Sequence, residues 1–283
     1  MDAEKISVRK IRTLYITGFL FAIHLASISY INSSFLGQYV NNTTLDILYI
    51  VGSFLSIITL VLAPLFFRKY GSLLTLVFFA AFKLAAVLGL IFSEHTAALL
   101  LFFIINISTD SILYLCMDVD MERETKLEST TGNNRGIFLT VQNVAWLLSP
   151  LSLVFLAAQS SFKNVYALSG ISLFLFLTIS VLVFKNIKEN SQTEAKILPA
   201  FKSMFRRSDE AKIIWTQFFL NFFYSWMIIY LPLLLHNDAG FSWNKIGLIF
   251  IIMLAPFVIF ELPAGRLSDK KYGEKEFLVI GFI

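Results

Sequence analysis

The chain is poor in the residues that build chemistry. It has a single cysteine, Cys116, which excludes an intrachain disulfide and any thiolate metal cluster. No histidine pair, glycine-rich phosphate loop or Ser/His/Asp set accompanies its acidic residues, so the usual signatures of metal-dependent, phosphoryl and nucleophilic chemistry are missing. No cofactor, bound metal or nucleic-acid partner is expected, and the chain is not expected to be an enzyme. Charged residues make up only 15% of the sequence, whereas 57% is hydrophobic and phenylalanine alone contributes 30 residues. Mean hydropathy is +0.74. No soluble core of this size needs that much apolar surface, so the solvent of most side chains is lipid.

Eight segments are long enough to cross a bilayer, which takes about 20 apolar residues each. They fall at Thr13–Phe35, Leu45–Phe67, Leu73–Phe92, Thr96–Met117, Arg135–Ala158, Val165–Phe184, Lys212–Leu235 and Trp243–Ala264. The charged stretch Met1–Arg12 leads into the first of these, whose length is that of a span rather than of a signal peptide's apolar region. A ninth apolar run starts at Phe277 and is cut at Ile283, so the natural protein is expected to continue. The chain therefore predicts an all-α polytopic membrane protein with eight complete transmembrane helices plus the start of a ninth.

Twenty of the 23 lysines and arginines fall in alternate connections: before the first span, and after the second, fourth, sixth and eighth. Lys163 and Lys245 lie on the other side, and Lys83 lies inside the third span. Basic residues collect on the cytoplasmic face, which puts the N-terminus in the cytoplasm and the protein in the cell membrane. The longest connection, 186–211, is polar and basic. Within it Ile197, Phe201, Met204 and Phe205 recur at helical spacing among Lys202, Arg206 and Arg207. Either a short amphipathic helix on the anionic inner leaflet or a solvated linker fits that pattern.

The second and eighth spans end alike. Arg68-Lys69-Tyr70-Gly71 recurs as Lys270-Lys271-Tyr272-Gly273 at an offset of 202, each time after a span with a late proline. In the later copy Gly265, Asp269, Lys270 and Gly273 stand in the order Gly, three residues, Asp, Lys and a nearby Gly. With its place between two spans, this loop resembles the signature of the major facilitator superfamily of secondary transporters. It departs by one extra residue before Gly273 and by Glu274 where a basic residue is usual. The earlier copy is degenerate, with Ala63 for the glycine and Phe67 for the aspartate. The resemblance implies two similar six-helix halves packed as a bundle. Residues 1–185 would be the first half, 186–211 the cytoplasmic linker, and 212–283 the start of the second. It also implies that the loop carboxylate, here Asp269, braces one half against the other, and that the first, fourth and seventh spans line a central cavity. Asp269 is expected either to cap the start of the fifth span near Gly132–Gly136 or to stay a solvated charge.

Ionisable groups inside spans are costly and so are candidate functional groups. Lys83 and Asp110 lie roughly 15 Å and 10 Å from the cytoplasmic side at 1.5 Å rise per residue, within a lysine's reach, and are expected to pair. The pair either faces the substrate pathway or pins the third and fourth spans together. His24, midway along the first span, carries either a coupling proton or a fixed hydrogen bond between helices. Asn106 sits beside Asp110, and Gln217, Asn221 and Tyr224 form a polar stripe on the seventh span. Polar stripes also join membrane helices without any ligand. In the fifth span, small residues around Pro150 suit an ordinary proline kink.

Asp118, Asp120, Glu122 and Glu124 crowd the end of the fourth span. On a helix only the pairs four apart could converge on a cation. The expected function is secondary transport of a small solute by alternating access, with a coupling proton or ion as a possible companion. A membrane transferase using the Asp118–Glu124 cluster, and a non-transporting scaffold or sensor, are the alternatives.

Overall fold

The computed structural model describes residues 2–124, 128–157, 162–184 and 208–270, with side chains described at 10–124, 134–156, 162–183 and 211–260. Among the described residues every regular element is a helix. In hydrocarbon nothing outside the chain can satisfy a backbone N–H or C=O, and a helix satisfies nearly all of them internally. The elements are α1 (Asp2–Ser29), α2 (Asn32–Leu36), α3 (Asn42–Phe92), α4 (Thr96–Ser108), α5 (Asp110–Glu124) and α6 (Glu128–Leu148). A π-turn at Leu153–Ala157 precedes α7 (Phe162–Phe184), and then come α8 (Ser208–Ile229), α9 (Leu231–Leu233), a second π-turn at Leu234–Asp238, and α10 (Trp243–Lys270). Seven helical stretches are long and apolar enough to cross a membrane. One of them, α3, runs 51 residues and is broken at Gly71 into two arms, so the described chain makes eight crossings.

The breaks have local causes. At Gly71 the backbone takes φ 78°, ψ 172°, a region that side-chain-bearing residues avoid, and there α3 reverses between its arms. Asn41 caps the start of α3 by accepting the Thr44 N–H at 2.9 Å, which satisfies one of the orphan donors of the first turn. Pro150 ends α6, and the Ser149 and Ser152 hydroxyls donate to the carbonyls of Ala145 at 2.7 Å and Ser149 at 2.6 Å. This is the expected proline kink.

Two buried apolar clusters form the interior. One takes Leu14, Phe21, Phe79, Ile112, Met117 and Phe176 from α1, α3, α5 and α7, with Phe138 of α6. The other lies toward the turns at Asn41 and Asp238 and joins Ile28, Phe35, Leu45, Phe103 and Tyr166 to Met227 of α8 and Ile246, Phe250 and Leu254 of α10. Large apolar side chains such as Ile50, Phe54, Phe218, Phe222 and Ile252 stay exposed on the outside, as lipid-facing residues do.

Some boundaries differ from the sequence reading. The first span ends at Ser29 rather than Phe35, and a separate turn of helix, α2, follows. The fourth span is divided at Thr109 into α4 and α5. The eighth does not stop at Ala264: α10 stays helical to Lys270, so Gly265 lies within a helix and not in a turn. Arg266, Leu267 and Lys270 are good helix formers, and a helix leaving the bilayer keeps its backbone bonds as it enters water. Gly273 and the stretch from Phe277, like most of the 186–211 connection, lie outside the described residues.

Gly71→Ala is expected to destabilise the protein by about 1–3 kcal/mol, because alanine must adopt the glycine-only conformation. Gly170→Ala, whose added carbon would meet Val87 at an ordinary 3.5 Å, serves as the tolerated control. Thermal unfolding of the detergent-purified proteins checks this, and equal melting temperatures for the two variants would contradict it.

Candidate functional site

Lys83 of α3 is completely buried. Its ammonium donates to Asp110 Oδ1 at 2.5 Å, to Asn106 Oδ1 at 2.8 Å and to the Asn106 carbonyl at 2.6 Å. Those three bonds use all the donors that an ammonium has. Isolated, such a charge would cost several kcal/mol to hold in the interior; a carboxylate in contact and two further acceptors offset that. The break at Thr109 contributes to the geometry. The Thr109 hydroxyl bonds back to the carbonyls of Ile105 and Asn106, both at 3.0 Å, and Asn106 and Asp110, on either side of the break, both reach Lys83.

Asp110 differs from its partner in exposure: its side chain is 27% exposed while that of Lys83 is not exposed at all. It lines a cavity of about 290 Å³ together with Asn32, Tyr49, Asn221 and Tyr224. A second cavity of about 450 Å³ shares Tyr224 and Ile228 with the first. Its other walls include Tyr30 in the turn after α1, Asn143 and Trp146 of α6, and Phe257 of α10. The space therefore lies between α1 and α3–α6 on one side and α8 and α10 on the other.

The sequence candidates fall into four groups. Lys83, Asn106 and Asp110 meet in one hydrogen-bonded cluster, and Asn221 and Tyr224 face Asp110 across the cavity. Gln217 is exposed one turn before Asn221 on α8, does not line this cavity, and donates to Asn221 Oδ1 at 3.4 Å. His24 is fully buried between α1 and α7, with Nδ1 2.6 Å from Ser169 Oγ. The side chains of Asp269 and Lys270 and the start of α6 at Gly132–Asn133 are not among those described, so the Asp269 brace lies outside the described residues, as does Gly273.

The acidic cluster at the end of α5 is drawn apart by cations. Arg135 donates to both oxygens of Asp118, at 2.7 and 2.9 Å, and Lys10 reaches Glu124 at 2.9 Å. Asp120 accepts from Ser72 Oγ and has Arg123 at 3.9 Å. These carboxylates tie α5 to α1, α3 and α6 instead of converging on one point.

A bundle of membrane-length helices around a cavity with polar and ionised walls defines a multi-pass membrane protein with an internal polar cavity. The family model of the Major Facilitator Superfamily matches residues 128–283, more than half of the chain, and the protein belongs to that superfamily. Its setting is the lipid bilayer and its cargo is a small molecule. No curated protein matches the chain significantly.

Several wall residues carry no signal in the sequence. Tyr30, Trp146 and Phe257 are aromatic residues in apolar runs, indistinguishable by pattern from those that face lipid. Ser169, which receives His24, is one of many serines in apolar spans. Asp46 near the start of α3 and Tyr230 between α8 and α9, joined at 2.9 Å, are far apart in the chain.

Lys83→Met is expected to destabilise the protein by about 3–5 kcal/mol, since it leaves the Asp110 carboxylate without its cation in the interior. Lys83→Met combined with Asp110→Asn should recover most of that loss. A double-mutant cycle on thermal unfolding reads the coupling, and additive losses would contradict a direct pair.

Proposed function

We propose that the protein moves a small solute across the cell membrane by secondary active transport, with two helical halves alternately exposing the cavity beside Asp110 to either face. Residues 1–185 form the first half, 186–211 the cytoplasmic linker and 212–283 the beginning of the second. The N-terminus is cytoplasmic, in keeping with the basic connections.

One observation carries the reading. The buried apolar residues of α8 and α10 (Met227, Ile246, Phe250 and Leu254) all belong to the cluster near the turns at Asn41 and Asp238. The cluster at the other end draws on α1, α3 and α5–α7 among the described residues. The two sets of helices thus touch at the extracellular end, with the cavity beneath the contact. The Tyr230 hydroxyl reinforces it by donating to Asp46 Oδ1 at 2.9 Å. Gly247 does too: a side-chain carbon there would lie 2.8 Å from the Pro150 carbonyl oxygen and 2.7 Å from Val154. Closure at one end over a polar cavity is what an inward-facing transporter requires.

Within this reading the Lys83–Asn106–Asp110 cluster is the ionised element of the pathway, with Asn221 and Tyr224 opposite. The transferase alternative is weakened by the cation partners of Asp118, Asp120 and Glu124. A scaffold would keep its function without Lys83, Asp110 and His24.

Solute flux in proteoliposomes tests the proposal. Lys83→Met with Asp110→Asn should abolish or strongly reduce flux while leaving the protein folded, and normal flux would remove the pair from the mechanism. Gly247→Leu should prise α10 from the Pro150 turn. In a Cys116→Ser background, a cysteine at Tyr224 should then label faster with an impermeant thiol reagent added outside. Unchanged labelling would contradict closure at that end.

A further inference from the structure

The two adjoining cavities differ in chemistry. The smaller is polar, with Asp110, Asn32, Asn221 and Ser225 on its walls. The larger is walled by the rings of Tyr30, Trp146, Tyr224 and Phe257 together with aliphatic side chains of α8 and α10 and the amide of Asn143. Tyr224 and Ile228 line both, so the lobes meet along α8. The charge that a ligand would meet is negative. Lys83 is wholly buried with its three donors engaged and lines neither lobe, while Asp110, of which it engages Oδ1, keeps 27% of its side chain exposed and lines the polar one. The aromatic lobe adds the Tyr30 hydroxyl, buried and without a hydrogen-bond partner among the described residues. A buried hydroxyl in that state costs free energy that a ligand's polar atom would recover. Ring faces also attract cations, tryptophan and tyrosine most of all. A ligand rich in hydroxyls would set most of them against rings, and one with a carboxylate head would meet Asp110.

We propose that the two lobes bind an amphipathic amine, with a flat apolar ring system among Tyr30, Trp146, Tyr224 and Phe257 and a protonated amino group at Asp110. The proposal rests on the transport reading only in treating this ligand as cargo; binding itself is independent of transport.

Three probes sharing one ring system separate the possibilities: tryptamine, its neutral alcohol counterpart tryptophol, and indole-3-propionate. Equilibrium binding of each, in radiolabelled form, is measured to the purified full chain in lipid nanodiscs. Saturable binding of tryptamine at least tenfold tighter than tryptophol, with indole-3-propionate weakest, is expected. Asp110→Asn should remove the preference for tryptamine over tryptophol. Because that variant strands the Lys83 ammonium, Lys83→Met with Asp110→Asn is measured as well, with retained tryptophol binding reporting an intact ring lobe. Trp146→Ala should weaken both probes at least tenfold. Equal binding of all three heads, a preference that survives both Asp110 variants, or no saturable binding at all would overturn the proposal. Tryptamine flux in proteoliposomes is read separately. Saturable, Asp110-dependent binding without flux supports the ligand class and counts against the transport reading, whereas flux of other solutes with no binding of these probes overturns the ligand class alone.

Discussion

Hydrocarbon offers no hydrogen bonds, and the structure follows from that constraint. Backbone groups must be satisfied within helices, which gives the described chain its all-helical character. Side chains face the same demand. Several polar residues within the spans turn inward and find a partner, as His24 finds Ser169 and as Ser56 meets Ser111 at 2.7 Å. The hydrophobic effect contributes little to joining one apolar helix to another in lipid, so packing and such polar contacts carry the association.

The Lys83 cluster is the extreme case. A single ammonium without exposure is held by a carboxylate and by both oxygens of one asparagine. The interruption of the helix at Thr109 separates α4 from α5 at the level where those acceptors are needed. Charge burial of this kind does little for stability compared with a well-packed apolar core of the same shape. What it supplies is a fixed position for a carboxylate on the wall of a cavity.

Much of this was legible in the sequence, for physical reasons. Span length reflects bilayer thickness, which acts on composition alone. The turn at Gly71 showed in Arg68-Lys69-Tyr70-Gly71, where cations and a glycine interrupt an apolar run. The reach between Lys83 and Asp110 followed from counting residues along two helices. The break at Thr109 was not legible, since a threonine in an apolar segment carries no breaking signal and its hydroxyl bonds back to the preceding turn. Nor were the aromatic walls, because 30 phenylalanines in one chain leave the lipid-facing and interior rings looking alike. The helix from Trp243 ran on to Lys270 because charged residues past the membrane edge are compatible with helix, so a change in composition marked the end of the apolar segment and not the end of the helix.

Cavity and helix packing alike depend on how the chain threads the bilayer, and cysteine accessibility in intact cells tests that threading most directly. With Cys116 replaced by serine, single cysteines at Asn41, Glu94 and Asp238 should react with an impermeant thiol reagent added outside, and one at Arg68 should react only after the membrane is opened. Labelling that places Asn41 and Asp238 on opposite faces would contradict the threading, and with it the cavity between the two sets of helices.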